Sequence, residues 1–147
     1  MRPVFAGIMI AGALSMANVA LADQAALMTP SQAIEKAADA APSAVPGIFD
    51  LQVRSTWKQD GFVYLYSDVD YRDKSNLTIE ISPVLAAALQ TKYGMPPQEF
   101  FYGKHIHVRG AAQRKKITFF YHGHLIDRFF YQTHVELRDP ASLELVP

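Results

Sequence analysis

Residues 49–81 read FDLQVRSTWKQDGFVYLYSDVDYRDKSNLTIEI, and this stretch decides the fold class. Apolar and polar residues alternate after Phe49, and the polar, glycine-containing segment Lys58–Gly61 then separates that first run from the apolar run Phe62–Ser67. A third alternating run covers Leu77–Ile81. Because side chains alternate across a strand, this pattern predicts three consecutive β-strands.

The residues that follow predict one helix and two further strands. Ser82-Pro83 is typical of a helix start, and a helix over Val84–Tyr93 would end at Gly94. A fourth strand is expected from Lys104 to about Ala112. A hairpin is then expected where residues 117–121 meet 125–131 across His122-Gly123-His124. Three strands, a helix and two strands is the order of an OB-like five-stranded Greek-key barrel, so we predict a mainly β fold with one inserted helix.

The segment before the barrel carries a helix-start signature. Thr29 is placed to cap a short helix from Pro30 to about Ala40, with Gln32 positioned to return a hydrogen bond to the cap. Pro42 and Pro46 predict an extended tether after it. The expected organisation is a signal peptide over 1–22, a short helix with a Pro/Ala tether over 23–46, and the barrel over 47–147.

The first residues have the composition of a secretory signal. Arg2 gives a positive start, Val4–Ala17 is apolar, and Ala20-Leu21-Ala22 is an A-x-A cleavage site. The apolar run is shorter than the roughly 20 residues that span a membrane, and every later apolar run is interrupted by charge. We therefore expect cleavage after Ala22, a periplasmic or secreted protein, and no membrane span in the mature chain.

Composition limits the function classes. The chain has 147 residues, 50% of them hydrophobic, which is enough for one domain with its own core. Its 14 basic and 14 acidic residues balance, so the overall charge does not favour nucleic acid or an acidic membrane. It has no cysteine, which excludes disulfides, thiolate metal sites and cysteine nucleophiles.

Six short motifs stand in a recognisable order along the chain, namely Tyr64-Leu65-Tyr66-Ser67, Asp70-Tyr71-Arg72-Asp73, Asn76-Leu77-Thr78-Ile79, Gly103-Lys104, Val108-Arg109-Gly110 and Asp139-Pro140. The chain resembles small bacterial OB-fold domains of the nucleic-acid-binding, anticodon-binding-like type, which also occur in exported proteins. The resemblance covers about Gly47–Val146 and implies a barrel architecture rather than a particular activity. Extra residues around Arg114–Arg128 depart from the short hairpin of that group, and the sequence leaves open whether they form a binding loop or a core hairpin.

A basic and aromatic set of side chains is the first candidate ligand site. OB-folds bind ligands on their second and third strands and on two adjacent loops, and single strands bind there by base stacking and phosphate contacts. An alternative is that the aromatic residues pack the hairpin while the lysines keep it soluble. The candidate residues are Trp57, Lys58, Tyr64, Tyr66, Arg109, Arg114, Lys115 and Lys116.

Two His-x-His pairs are a second candidate. Residues two apart face the same side of a strand, so His105 with His107, or His122 with His124, could offer two imidazoles to Zn²⁺ or Cu²⁺. No carboxylate third ligand is evident from spacing, and solvated histidines are the alternative interpretation.

Catalytic motifs do not occur in the sequence. It has no G-x-S-x-G, no glycine-rich phosphate loop and no H-E-x-x-H. We therefore expect a binding or interaction module rather than an enzyme, without a cofactor. Its expected ligand class is single-stranded nucleic acid, oligosaccharide or an extracytoplasmic protein; a periplasmic metal-binding protein and a structural accessory protein are the alternatives.

Overall fold

The computed structural model describes residues 25–147, so the predicted signal peptide over 1–22 lies outside the described residues. The elements are β1 (Leu27–Met28), α1 (Pro30–Ala40), β2 (Val45–Gln52), β3 (Ser55–Gln59), β4 (Phe62–Tyr66), β5 (Leu77–Ile81), α2 (Pro83–Tyr93), α3 (Pro97–Phe100), β6 (His105–Tyr121), β7 (His124–Glu136), a 3₁₀ turn (Pro140–Ser142) and β8 (Leu143–Leu145).

One curled sheet contains every strand of residues 25–147. Its order is β1-β2-β6-β7-β5-β4-β3, and β8 pairs with β6. The β1–β2 and β5–β7 pairs are parallel, and the other pairs are antiparallel. The Val53 amide donates to the carbonyl of Lys104, next to β6, and the Arg54 amide donates to the carbonyl of Tyr66 in β4, both at 2.8 Å. Two adjacent residues thus bond next to β6 and to β4, which β7 and β5 separate in the strand order, an arrangement consistent with an OB-like barrel.

The fold is mainly β, as predicted, but it has more strands and helices than the predicted five strands and one inserted helix. The structure has eight strands within residues 25–147. The long first strand of the barrel is split into β2 and β3 where its partner changes at Val53 and Arg54, and β1 and β8 are short additions. A second short helix, α3, follows Pro96.

The core fills the inside of the curl. Five residues from four strands of the sheet are at most 2% exposed, namely Phe49, Leu51, Leu65, Ile79 and Val108. Their neighbours along each strand point outward. The alternating residues of the sequence therefore lie on the core side and the outer side of the sheet in turn.

Helix α1 has the predicted start and packs into this core. The Gln32 amide donates to Thr29 Oγ1 at 3.3 Å, and the Thr29 amide donates to Gln32 Oε1 at 3.0 Å, which completes a capping box. Ala33 and Ala37 are fully buried and belong to the same core as the barrel. The strand that follows begins at Val45, so Pro46 lies in the sheet rather than in a tether.

The residues around Arg114–Arg128 form neither a loop nor a core hairpin. β6 and β7 remain paired from Ala112 with Val135 to Tyr121 with His124, with one irregularity near Phe119. His122 and Gly123 close the turn with φ of 48° and 78°, the left-handed conformation that two-residue hairpin turns require. We call residues 113–132 the hairpin arm; Phe120 and Leu125 near its tip are 69% and 64% exposed. No helix within residues 25–147 combines the length and apolarity that crossing a membrane requires.

Candidate ligand-binding cleft

An aromatic platform lies on the outer face of β3 and β4. Val63 and Leu65 point into the core, so Tyr64 and Tyr66 between and beside them face outward, and Trp57 lies opposite Tyr64 in the antiparallel pair. The Tyr64 and Tyr66 rings are nearly parallel, with an interplanar angle of 4° and centroids 6.4 Å apart. Trp57 is 58% exposed. The strand geometry thus presents several aromatic side chains on one surface.

The turn between β4 and β5 adds a further ring. Tyr71 stacks on Tyr66 with centroids 5.5 Å apart. Asn76 holds the turn in place, because its side chain donates to the Tyr71 carbonyl at 3.2 Å and accepts from the Asp68 amide at 3.1 Å. Asp70 accepts from both the Arg72 amide and its guanidinium. These local hydrogen bonds fix Tyr71 at the edge of the platform.

The hairpin arm forms the opposite wall. Ile117 and Phe130 are cross-strand partners on the face of the arm that looks toward the platform. Together the two walls enclose a cleft of about 660 Å³, a size typical of small-molecule and oligomer sites. Its lining consists of Ser55, Thr56, Trp57, Gln59, Tyr64, Tyr66, Val69, Tyr71, Thr78, Ile117, Phe119, Phe130, Gln132 and His134.

The tyrosines of the platform stay protonated at physiological pH. Burial raises the pKa of Tyr66 to about 12, and its neighbours Tyr64 and Tyr71 act in the same direction. Burial also raises the pKa of Tyr64, with a further contribution from the Glu80 carboxylate. Both hydroxyls are therefore neutral groups that can donate and accept hydrogen bonds.

His134 is a buried base at the floor of the cleft. Burial lowers its pKa, although its hydrogen bond to Glu80 acts in the opposite direction. Its Nδ1 lies 3.1 Å from Glu80 Oε2 and its Nε2 lies 2.7 Å from Gln132 Oε1. Both partners are acceptors, so a neutral imidazole donates to one of them and a protonated ring donates to both.

The cleft contains three of the eight residues predicted to bind a ligand, namely Trp57, Tyr64 and Tyr66. Lys58 and Arg109 are not among the residues that line it. Lys115 lies close by, but its Nζ is 3.2 Å from Glu136 Oε1 and 3.6 Å from Glu80 Oε2.

The two remaining predicted residues lie on the other face of the arm. Arg114 lies over the Tyr131 ring and Lys116 over the Phe129 ring, each with its charged group 4.1 Å from the ring centroid. Side chains alternate along a strand, so Arg114 and Lys116 lie on the opposite face from Ile117 and point away from the cleft.

Tyr71, Phe130 and His134 were missed as cleft residues. Tyr71 lies in a polar turn and the other two on a strand whose register the sequence does not give. The aromatic composition of the arm was the only signal, and it did not distinguish its two faces.

The two His-x-His pairs have different surroundings. His105 and His107 contact the carboxylate of Asp50, a residue that the sequence interpretation missed. His122 lies in the hairpin turn and His124 begins β7, with no acidic or histidine cluster that could hold a metal around them in residues 25–147. The structure therefore separates the four histidines that were predicted as alternative ligands.

Comparison with protein-family models gives no match, and comparison with the curated proteins gives none either. Among solved structures, an aspartyl-tRNA synthetase from Leishmania major Friedlin is similar with a TM-score of 0.42 and 10% sequence identity. The match covers 95% of this chain and 23% of that one. A likeness at this level carries no weight for the fold or the ligand.

Proposed function

We propose that the chain is an extracytoplasmic binding module, without catalytic activity, whose cleft binds a neutral oligosaccharide. The export part of this proposal depends on the predicted leader. The OB-like part depends on the hydrogen bonds of Val53 and Arg54, which join two separate parts of the sheet. OB-like barrels bind both oligonucleotides and oligosaccharides on the corresponding face. The chemistry of the cleft has to distinguish the two.

The uncharged lining is the observation that favours an oligosaccharide. Among the described residues that line the cleft, none is Lys, Arg, Asp or Glu. A single-stranded nucleic acid needs cationic groups for its phosphates, whereas Lys115 pairs with Glu136 and both Arg114 and Lys116 lie over aromatic rings on the far face of the arm.

A sugar chain matches what the cleft offers. Flat aromatic rings provide apolar contact area, and the hydroxyls and amides of Tyr64, Thr78 and Gln132 provide donors and acceptors without charge. The neutral states of Tyr64, Tyr66 and His134 keep this character at physiological pH.

The test is binding to an array of neutral oligosaccharides, followed by titration calorimetry of the best glycan. Trp57→Ala removes a platform ring and is expected to weaken binding by about 5- to 100-fold, since the apolar area that such a ring buries against a sugar is worth roughly 1–3 kcal/mol. The matched control is Lys58→Ala, which changes the next residue outside the cleft lining and is expected to bind as the wild type does.

Two results would overturn the proposal. One is that no glycan binds the wild type more tightly than it binds the Trp57→Ala variant. The other is tighter binding of a single-stranded oligonucleotide that weakens steeply with salt, which would assign the cleft to nucleic acid.

A further inference from the structure

Three potential metal ligands converge on the outer wall of the barrel, on strands other than those of the aromatic platform. Asp50 in β2 is the direct antiparallel partner of His107 in β6, and His105 lies two residues earlier on the same face. His107 Nε2 is 2.9 Å from Asp50 Oδ1, and His105 Nε2 contacts that same oxygen. The two imidazole rings are nearly perpendicular, at 89°, so they approach one point from different directions.

The donor set suits a transition metal. One nitrogen from each histidine and one oxygen from Asp50 all lie within 4.8 Å of one another. Imidazole nitrogens favour Zn²⁺, Cu²⁺ and Ni²⁺, whereas Ca²⁺ and Mg²⁺ take oxygen ligands. Two histidines and one carboxylate are a common set of three protein ligands around Zn²⁺ and leave a fourth position open.

We propose that Asp50, His105 and His107 bind a divalent transition-metal ion of the Zn²⁺ type. Their side chains are 32%, 40% and 31% exposed, so an ion can reach the ligand atoms from solvent while the strands hold them in place. The ligands come from the paired parts of β2 and β6, which gives the site a rigid frame.

A further carboxylate lies on the neighbouring strand. Glu144 in β8 is the antiparallel partner of His107 on the side of β6 away from β2. Leu143 is buried and Glu144 is exposed, so Glu144 shares the outer face with the histidine. Directly opposite residues have Cβ atoms about 4.5–5.5 Å apart. His107 thus lies between two carboxylate-bearing strands, and Glu144, which is not one of the three residues whose donor atoms lie within 4.8 Å of one another, adds negative charge beside the site.

The competing explanation is a hydrogen-bonded trio without any metal role. In that state both imidazoles carry their proton on Nε2 and donate to Asp50 Oδ1, which satisfies all three groups. A metal ion requires both Nε2 atoms as free lone pairs and the carboxylate as a ligand. Direct measurement of metal binding separates the two explanations.

The experiment is calorimetry of the purified protein with Zn²⁺, with Ca²⁺ as the ion that this donor set should reject. The wild type is expected to bind one Zn²⁺ and no Ca²⁺. Asp50→Asn and His107→Ala each remove a ligand and are expected to weaken Zn²⁺ binding by more than about 100-fold. Loss of a residue that only hydrogen-bonds to a ligand typically weakens binding by about 10- to 100-fold. Glu144→Gln is expected to weaken it less.

The matched control is the double variant His122→Ala, His124→Ala, which removes the other His-x-His pair and is expected to bind Zn²⁺ as the wild type does. Circular dichroism checks that every variant is folded, and Asp50→Asn keeps the shape of the side chain if His107→Ala is unstable. The proposal is overturned if the wild type shows no Zn²⁺ binding, if Asp50→Asn binds as tightly as the wild type, or if the hairpin-turn variant is the one that loses the ion.

Discussion

At the scale of single residues, His134 makes stability depend on pH. Burial lowers its pKa in the folded protein below the value of about 6.5 expected in the unfolded chain. Below about pH 6.5 the unfolded chain therefore binds a proton at this histidine while the folded protein does not. The free energy of unfolding decreases as the pH falls, until the folded histidine is also protonated. Glu80 on β5, Lys115 on β6 and Glu136 on β7 are the charged groups that influence it.

Replacing this histidine removes that contribution. His134→Gln is expected to flatten the decrease in the free energy of unfolding between pH 7 and pH 5, measured by urea denaturation at several pH values. His124→Gln, on the same strand but exposed, serves as the control and should keep the wild-type pH dependence. Equal pH dependence in the wild type and the His134→Gln variant would show that His134 does not carry the effect.

Single residues also show where sequence reasoning stops. The spacing of His105 and His107 correctly predicted that both side chains lie on the same face of a strand, because alternation along a strand is a local property. Asp50 is 55 residues away and meets them only through the register of β2 against β6, which no local pattern encodes. The third ligand was therefore out of reach, and so was the distinction between the two histidine pairs.

At the scale of elements, the turns were the most predictable feature. The Lys58–Gly61 segment contains the observed turn at Asp60 and Gly61, with φ of 52° and 81°, and the second turn is at His122 and Gly123. Helix α1 likewise begins at its predicted capping box. Strand lengths were less predictable. The predicted fourth strand and the hairpin are one continuous strand, β6, because residues 113–116 between them also pair with β7. This pairing is made by backbone atoms and leaves no pattern in the side chains.

The hairpin arm is expected to contribute to binding but little to stability. Replacing residues 117–130 by Asn-Gly removes Ile117, Phe119 and Phe130 from the cleft, while the shortened strands keep a turn that hairpins favour. Because most of the removed side chains are exposed, the unfolding free energy should change little.

The shortened protein should therefore stay folded and lose most of its affinity for the glycan found on the array. Thermal unfolding followed by circular dichroism and calorimetric titration measure the two properties separately. Undiminished affinity would mean that the arm is not a wall of the binding site, and a collapse in stability would mean that it supports the barrel.

At the scale of the whole molecule, α1 and the barrel share one core. The sequence predicted a separate segment over 23–46, because its prolines and alanines gave no sign of tertiary packing. In the structure Ala33 and Ala37 are fully buried together with residues of the sheet. Small side chains leave a weak hydrophobic signal in a sequence even where they allow a helix to pack closely.

A shared core predicts that α1 and the barrel unfold together. Ala37→Ser places a hydroxyl in the core and is expected to lower the free energy of unfolding by about 1–3 kcal/mol, whereas Ala38→Ser in the partly exposed next position should lower it less. Trp57, the single tryptophan, reports on β3, while far-UV circular dichroism also reports on the helices. Both signals should shift to the same lower denaturant midpoint in the Ala37→Ser variant. Loss of helical signal with an unchanged Trp57 transition would instead show that α1 unfolds on its own, as the separate segment predicted from the sequence would do.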